Sequence, residues 1–306
     1  MAAVALALSC VGYALPKRLS TGEKDLQESA VLRLWHIDGF EGGKGSRASF
    51  LKRVATEYRK KRSGAFVLVS SYTKEGAKEA FSRGEYPDML SFSVGTCPPI
   101  ERCIPLSFFS FFGANYGGSQ LALPWCKGGY ALYAKVGCTS TPTAENTVVS
   151  VGGNNLPIVA ACFEGLSGAK EQPSITAYTE FLAGKYDWLL GTQRDFHRFS
   201  SRGVETTMRA LTAYSDLYQY IAVLNGERSA HCEEFLRLLF SDAWQDKLSS
   251  VGMASALKSV GALGGLESVR ARFTLGAFTD TNLFAKICAA AREGNEEVLR
   301  KFLKSR

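Results

Sequence analysis

The sequence predicts an α/β chain folded into two lobes, and three observations carry that expectation. Between residues 31 and 94, apolar β-forming runs alternate with helical stretches in the order β-α-β-α-β, which calls for a parallel sheet with right-handed crossovers. The length of 306 residues exceeds what one compact core usually organises. A composition of 46% hydrophobic and 21% charged residues is that of an ordinary globular protein with a sizeable core.

The chain opens on a short apolar run at residues 2–15 (AAVALALSCVGYAL). It is too short to span a bilayer and reads as the h-region of a signal-peptide-like segment over residues 1–16, with Ala14 as the small residue for cleavage. Cys10, after Leu8 and Ser9, adds a second reading, lipid attachment at the cell surface; retention of the apolar segment is a third. No later segment is long and apolar enough for a transmembrane helix.

Residues 31–47 (VLRLWHIDGFEGGKGSR) are the stretch around which the rest is organised. Val31, Leu32, Leu34, Trp35 and Ile37 form a buried strand. Gly39, Gly42, Gly43 and Gly45 make a loop that can turn tightly and approach another backbone. Ser46 or Ser49 caps the next helix, whose apolar residues Phe50, Leu51, Val54 and Ala55 recur at helical spacing. Its last turn carries Arg59, Lys60, Lys61 and Arg62, cations that suit a solvated helix C-terminus. A strand at 65–71, a helix at 74–83 and a strand at 88–94 complete the unit.

Residues 97–118 are irregular and aromatic. Residues 121–135 read as a strand, a tight turn at Gly128-Gly129 and a return strand, with Pro124 barring a regular central strand; the chain crosses between lobes there. A strand-like VVSVGG is followed by a helix with Pro157 in its first turn. A helix at 174–184 is capped by Ser174 and ended by Gly184; a strand at 186–191 runs into Thr192, Gln193, Arg194 and Asp195. A strand at 216–224 precedes a helical C-terminal part, in which Gly294-Asn295 interrupts the final helix.

Four passages in this order resemble the extracellular solute-binding proteins of ATP-driven (ABC) importers, the sugar-binding type with the type II periplasmic-binding fold. They are VLRLWHIDGF as first strand, GEYPDMLSFSVG as the Gly-x-x-Pro-Asp turn into the third, FLAGKYDWLLGT as a helix end feeding a strand, and AHCEEFLRLLFSDAWQDKLSSVGM as an amphipathic helix before an acid-Trp-Gln and Gly-Met turn. The resemblance implies a two-lobed fold, each lobe a mostly parallel sheet flanked by helices. Lobe 1 is expected at 29–121 and 218–306, and lobe 2 at 122–217, trimmed between Gly137 and Phe181. It also implies an exported, monomeric binding protein without enzymatic activity or cofactor, its partners a small-molecule solute and a membrane permease, with no nucleic acid.

Holding a sugar requires aromatic faces for its C–H surface and planar polar groups for its hydroxyls, since each buried hydroxyl left unpaired costs about 1–3 kcal/mol. At strand ends and lobe crossings the aromatic candidates are Trp35, Phe40, Trp125, Tyr130 and Tyr218, and the polar ones Asp38, Glu41, Gln193, Arg194 and Asp195. His36 and Asp38 share one side of a strand tip and suit hydrogen bonding to a polar solute.

Other chemistry is poorly supported. The loop DGFEGGKGS is not a P-loop: Gly45 stands where a hydroxyl must follow Lys44, and Asp38 occupies the first glycine position. The three histidines, His36, His197 and His231, have no metal-site spacing, and no G-x-S-x-G elbow is present. The net charge of +7 is dispersed, which disfavours nucleic acid but leaves an anionic solute as a second reading. A secreted carbohydrate-active enzyme would need two facing carboxylates, drawn from Asp38, Glu41 and Asp195. The eight cysteines form no C-x-x-C; Cys97 and Cys103 can close a small loop as a disulfide, or remain thiols.

Overall fold

The computed structural model describes residues 30–96, 98–259, 261 and 263–306. The signal-peptide-like segment with Cys10, and the pairing of Cys97 with Cys103, lie outside the described residues. No described helix is long and apolar enough to cross a membrane.

The first sheet grows from β1 (Ala30–Ile37), which pairs in parallel with β2 (Ala65–Tyr72) on one side and β3 (Met89–Phe92) on the other. The crossover helix α1 (Arg47–Lys61) starts where Ser46 accepts the N–H of Ser49 at 3.1 Å. It buries Phe50, Leu51, Val54, Ala55 and Tyr58, while its basic last turn is exposed. Helix α2 (Lys74–Ser82), capped by Thr73, returns the chain to β3.

After a small hairpin of β4 (Asn115–Tyr116) and β5 (Ser119–Gln120), the chain enters β6 (Leu123–Lys127). Here the structure corrects the sequence reading. The strands flanking Gly128-Gly129 do not return on each other: β6 ends the first sheet and β7 (Tyr130–Lys135) belongs to the second. Gly128 is required by a close approach, because a Cβ there would lie 2.3 Å from the Gln193 amide. Pro124 sits on the edge strand of the first sheet, where the register with β12 (Tyr218–Val223) shifts.

The second lobe follows with β8 (Thr147–Val151), α3 (Pro157–Phe163), β9 (Lys170–Pro173), α4 (Ser174–Leu182), β10 (Trp188–Thr192), α5 (Gln193–Ser201) and β11 (Thr206–Ala210). Strand order is β2-β1-β3-β12-β6 in the first sheet and β11-β7-β10-β8-β9 in the second. Each is mixed: β12 runs antiparallel to β3 and β6, and β7 antiparallel to β10 and β11. Helix α4 begins on Ser174, its expected cap; Pro173 holds the cap position instead, and the Ser174 hydroxyl is free for another partner.

The C-terminal part adds α6 (Ser229–Leu239), α7 (Asp242–Gln245), β13 (Phe273–Thr274), α8 (Thr281–Arg292), α9 (Glu296–Phe302) and β14 (Lys304–Ser305). Gly294, with a positive φ of 73°, separates α8 from α9. One large apolar core joins the first sheet to α1, α3 and α8. A smaller one, built on Tyr133, Tyr178, Phe181, Leu189 and Phe199, fills the far side of the second sheet. The described cysteines, Cys103, Cys126, Cys138, Cys162, Cys232 and Cys288, are free thiols.

Candidate functional site

The C-terminal ends of β1 and β3 and the end of β8 meet at a seam between the lobes. The glycine-rich loop after β1 reaches across it. The Asn154 N–H donates to the Gly39 carbonyl at 2.5 Å, and Phe40 bridges Gly153 in antiparallel register. Gly153 (φ 79°) permits this approach, since a Cβ would stand 2.4 Å from the Gly39 oxygen.

Side chains latch the same seam. The Ser174 hydroxyl donates to Glu41 Oε1 at 2.7 Å, and the Arg194 guanidinium lies 2.8 Å from the same oxygen. Arg198 stands 3.9 Å from Glu41 Oε2 and 3.0 Å from Asp195.

On the first-lobe side, Ser91 ties four strands together. Its Oγ accepts from Trp125 Nε1 at 3.0 Å and from Gln219 Nε2 at 3.2 Å, so its single proton goes to His36 Nδ1, 3.0 Å away. His36 Nε2 therefore carries the ring proton and donates to Asp38 at 2.9 Å. Burial lowers the His36 pKa against the pull of Asp38, which keeps the ring neutral. Burial also opposes ionisation of Asp38, but the hydrogen bond from His36 and the charge of Arg47 prevail and hold its carboxyl well below the usual range. Arg47 donates Nε to Asp38 at 2.7 Å and stacks its guanidinium 4.0 Å from the Phe40 ring centre. Its Nη1 is buried with no partner among the described residues.

Beside the bridged loops both lobes wall a cavity of about 280 Å³. Lys74 contributes from the start of α2 and Gly95 from the loop after β3, Asn154, Asn155 and Glu171 from the second lobe, and Phe284 and Arg292 from α8. Asn155 is held from behind: its Nδ2 donates to the Tyr130 hydroxyl at 2.8 Å, which donates to Asp216 at 2.7 Å. Asp216 also accepts the Leu156 N–H at 2.7 Å, and burial raises its pKa despite both bonds. This leaves Asn155 Oδ1 buried and, among the described residues, unpartnered on a residue that lines the cavity.

The expected site residues therefore separate into groups. Asp38, Phe40, Glu41 and Arg194 gather at the seam, with His36 behind them. Trp35 is buried in the first lobe against Tyr72, with ring centres 4.2 Å apart, and Trp125 stacks on Phe50 at 5.7 Å with no exposed surface. Tyr130 is likewise enclosed, and acts through Asn155 and Asp216. Gln193 is enclosed, accepting the Gly129 N–H at 3.1 Å. Asp195 is the capping-box acid of α5, accepting the Thr192 N–H at 3.0 Å, and burial raises its pKa against that bond and Arg198. Tyr218 lines a different cavity. In this arrangement Trp35, Trp125, Tyr130, Gln193, Asp195 and Tyr218 present no face to the seam cavity; each is engaged in packing or capping that a residue-type argument does not separate from ligand contact. Sequence reasoning missed Asn154, Asn155, Ser174 and Arg198. The GGNN tip of β8 carried the same signal as the tip of β1, a strand running into glycines and planar polar side chains.

The fold is shared with solved binding proteins. The sugar-binding protein MalE from the phytopathogen Xanthomonas citri superposes with a TM-score of 0.61 and 12% identity, over 89% of this chain and 95% of that one. A cyclo/maltodextrin-binding protein complexed with maltotetraose gives 0.60 and 12%, over 90% and 96%. A chitin oligosaccharide binding protein gives 0.58 and 10%, over 89% and 97%. No family model matches the sequence, and no curated protein does.

Proposed function

The chain has the two-lobed fold of the sugar-binding solute-binding proteins of ABC importers; from that premise we propose that it is the exported solute-capturing component of such an importer, binding a carbohydrate between its lobes and presenting the closed form to a membrane permease. It acts without chemistry: Asp38 and Glu41 are each paired with an arginine, and Asp195, whose pKa burial raises, is enclosed as the capping-box acid of α5, so among the described residues these three do not offer the two facing carboxyls a glycosidase needs. The observation that carries the reading is the cavity walled by both lobes and lined by Asn155, whose Oδ1 is buried and unpartnered among the described residues. When parting of the lobes uncovers this acceptor, a hydroxyl-rich solute supplies the donor it lacks. Asp38, Glu41 and Arg194 line the seam the solute must pass, and parting of the lobes frees their polar atoms for it. The volume suits one or two sugar rings.

Thermal melting of the full chain against maltose, maltotetraose, chitobiose, phosphate and sulfate tests this. At about 100 times its dissociation constant a ligand adds ~2.7 kcal/mol of stability, a readily measured shift. One sugar is expected to raise the melting temperature, and Asn155→Leu to abolish that rise while the protein still melts cooperatively. Shifts with the inorganic anions alone would replace the sugar by an anionic solute; no shift with any sugar would overturn the assignment.

A further inference from the structure

A second cavity, of about 260 Å³, lies where the chain crosses between the sheets, and it shares no lining residue with the seam cavity. Lys127, the last residue of β6, and Tyr218, the first of β12, are paired neighbours there, one on each crossing. Lys127 is 5% exposed, and its ammonium donates to the Val269 carbonyl at 2.5 Å. Arg270 and Arg306 line the same space, and among the described residues none of these three cations is ion-paired. The carboxylate that acts on Lys127 from a distance, Glu267, accepts the N–H groups of Leu263 and Gly265, each at 3.1 Å.

A buried ammonium without a counter-charge is costly, and two guanidinium groups beside it raise that cost. Apart from Ser110 and the Tyr218 hydroxyl, the side chains of the remaining wall are apolar. Phe109 and Phe111 are half-buried, and the Phe111 ring meets Tyr218 edge-on at 5.0 Å between centres. A small hydrated anion would balance the charge and leave these rings uncovered. A neutral aromatic would cover them and leave the charge.

We propose that this cavity at the crossings is a second ligand site, for an organic anion whose carboxylate or phosphoryl head meets Lys127, Arg270 and Arg306 and whose aromatic or aliphatic body lies against Phe109, Phe111 and Tyr218. Isothermal titration of the full chain with phenyl phosphate, benzoate, inorganic phosphate and benzyl alcohol tests it, independently of what occupies the seam. Phenyl phosphate or benzoate is expected to bind at least about tenfold more tightly than inorganic phosphate or benzyl alcohol, and Arg270→Ala and Lys127→Met each to weaken it by at least about tenfold. The Arg270 residue is exposed, so that variant keeps the test decisive even if Lys127→Met fails to fold. Absence of binding by both organic anions, or unchanged affinity in Arg270→Ala, would overturn the proposal. Equal affinity for inorganic phosphate would overturn the assigned apolar body.

Discussion

Glu41 Oε1 and the Arg194 guanidinium stand 2.8 Å apart across the seam, one on the glycine-rich loop after β1 and the other in the first turn of α5. The same oxygen takes the Ser174 hydroxyl at the first residue of α4. A single carboxylate thus joins the first lobe to two helix N-termini of the second, where a negative charge is favoured.

Glu41→Ala is expected to loosen this contact. Glu41 and Arg194 are partly exposed, so the ion pair contributes about 1 kcal/mol or less, with a hydrogen bond from Ser174 in addition. Small-angle scattering without ligand should show a larger radius of gyration than the parent, and the melting temperature should fall. An unchanged radius would mean that the Gly39–Asn154 and Phe40–Gly153 backbone contacts and the shared apolar core hold the lobes together without the ion pair.

His36 gives a pH dependence with a defined sign. Its folded pKa lies below the ordinary value of 6.5 because burial penalises the charged ring. The unfolded chain therefore binds the proton first as pH falls, and the stability associated with the neutral ring is complete above 6.5 and lost below it. The slope for this one group is at most about 1.4 kcal/mol per pH unit. His197 is shifted the same way, first by burial, and adds a slope of the same sign. Asp195 and Asp216, whose pKa values burial raises, act with the opposite sign, so the test is the difference between proteins: with melting temperature measured from pH 7.5 to 5, His36→Gln should gain on the parent as pH falls. The Asp38 carboxyl, held low, contributes only at more acidic pH, as its ordinary range is crossed. A parent and variant with parallel profiles would contradict the neutral assignment.

Lys127 behaves oppositely to a stabilising cation. Burial, and then the charge of Arg270, lower its pKa to about 8. Its destabilising effect is fully present below pH 8 and is relieved as pH rises from there toward its unfolded value of 10.5. Lys127→Met should accordingly melt higher at pH 7, by about 2 °C or more, with the gap narrowing between pH 8 and 10. A variant that melts lower at every pH would show that the bond to Val269 outweighs the burial of the charge.

The first three strands were legible because their apolar β-forming runs alternate with helical stretches, the first of which begins on the capping hydroxyl of Ser46, although β2 buries only alternate residues and leaves Phe66 and Leu68 exposed. The lobe crossing at Gly128-Gly129 was legible as a place but not as a geometry, since a pair of glycines fits a tight turn and a close approach equally well. Strands β9 and β11 were missed for a common reason. Both are edge strands of the second sheet, largely exposed, with sequences KEQP and TTMRA that carry little apolar signal. Asp38, Glu41 and Arg194, expected as site residues, come together at the seam, since charged residues at strand ends have few other places to go. Trp125 and Tyr130 were expected there too, yet strand-tip aromatics read the same whether they turn inward or outward, and these turn inward. Asp195 looked like a free acid because the helix it caps was not foreseen.

Strand β12 takes its place between β3 and β6 only after the chain has built every strand of the second sheet, β7 to β11. The second sheet is drawn from one continuous stretch; the first waits for a strand delivered from far along the chain. Closing that long loop is entropically slow, so folding should proceed in two stages, with the second sheet formed early and the first completed late. Until β12 arrives, the inner edges of β3 and β6 are unpaired and open to the wrong partner. A nascent chain released before Tyr218 would keep a sound second lobe and an unfinished first one, which makes the interval between the two crossings the stretch of synthesis most exposed to aggregation.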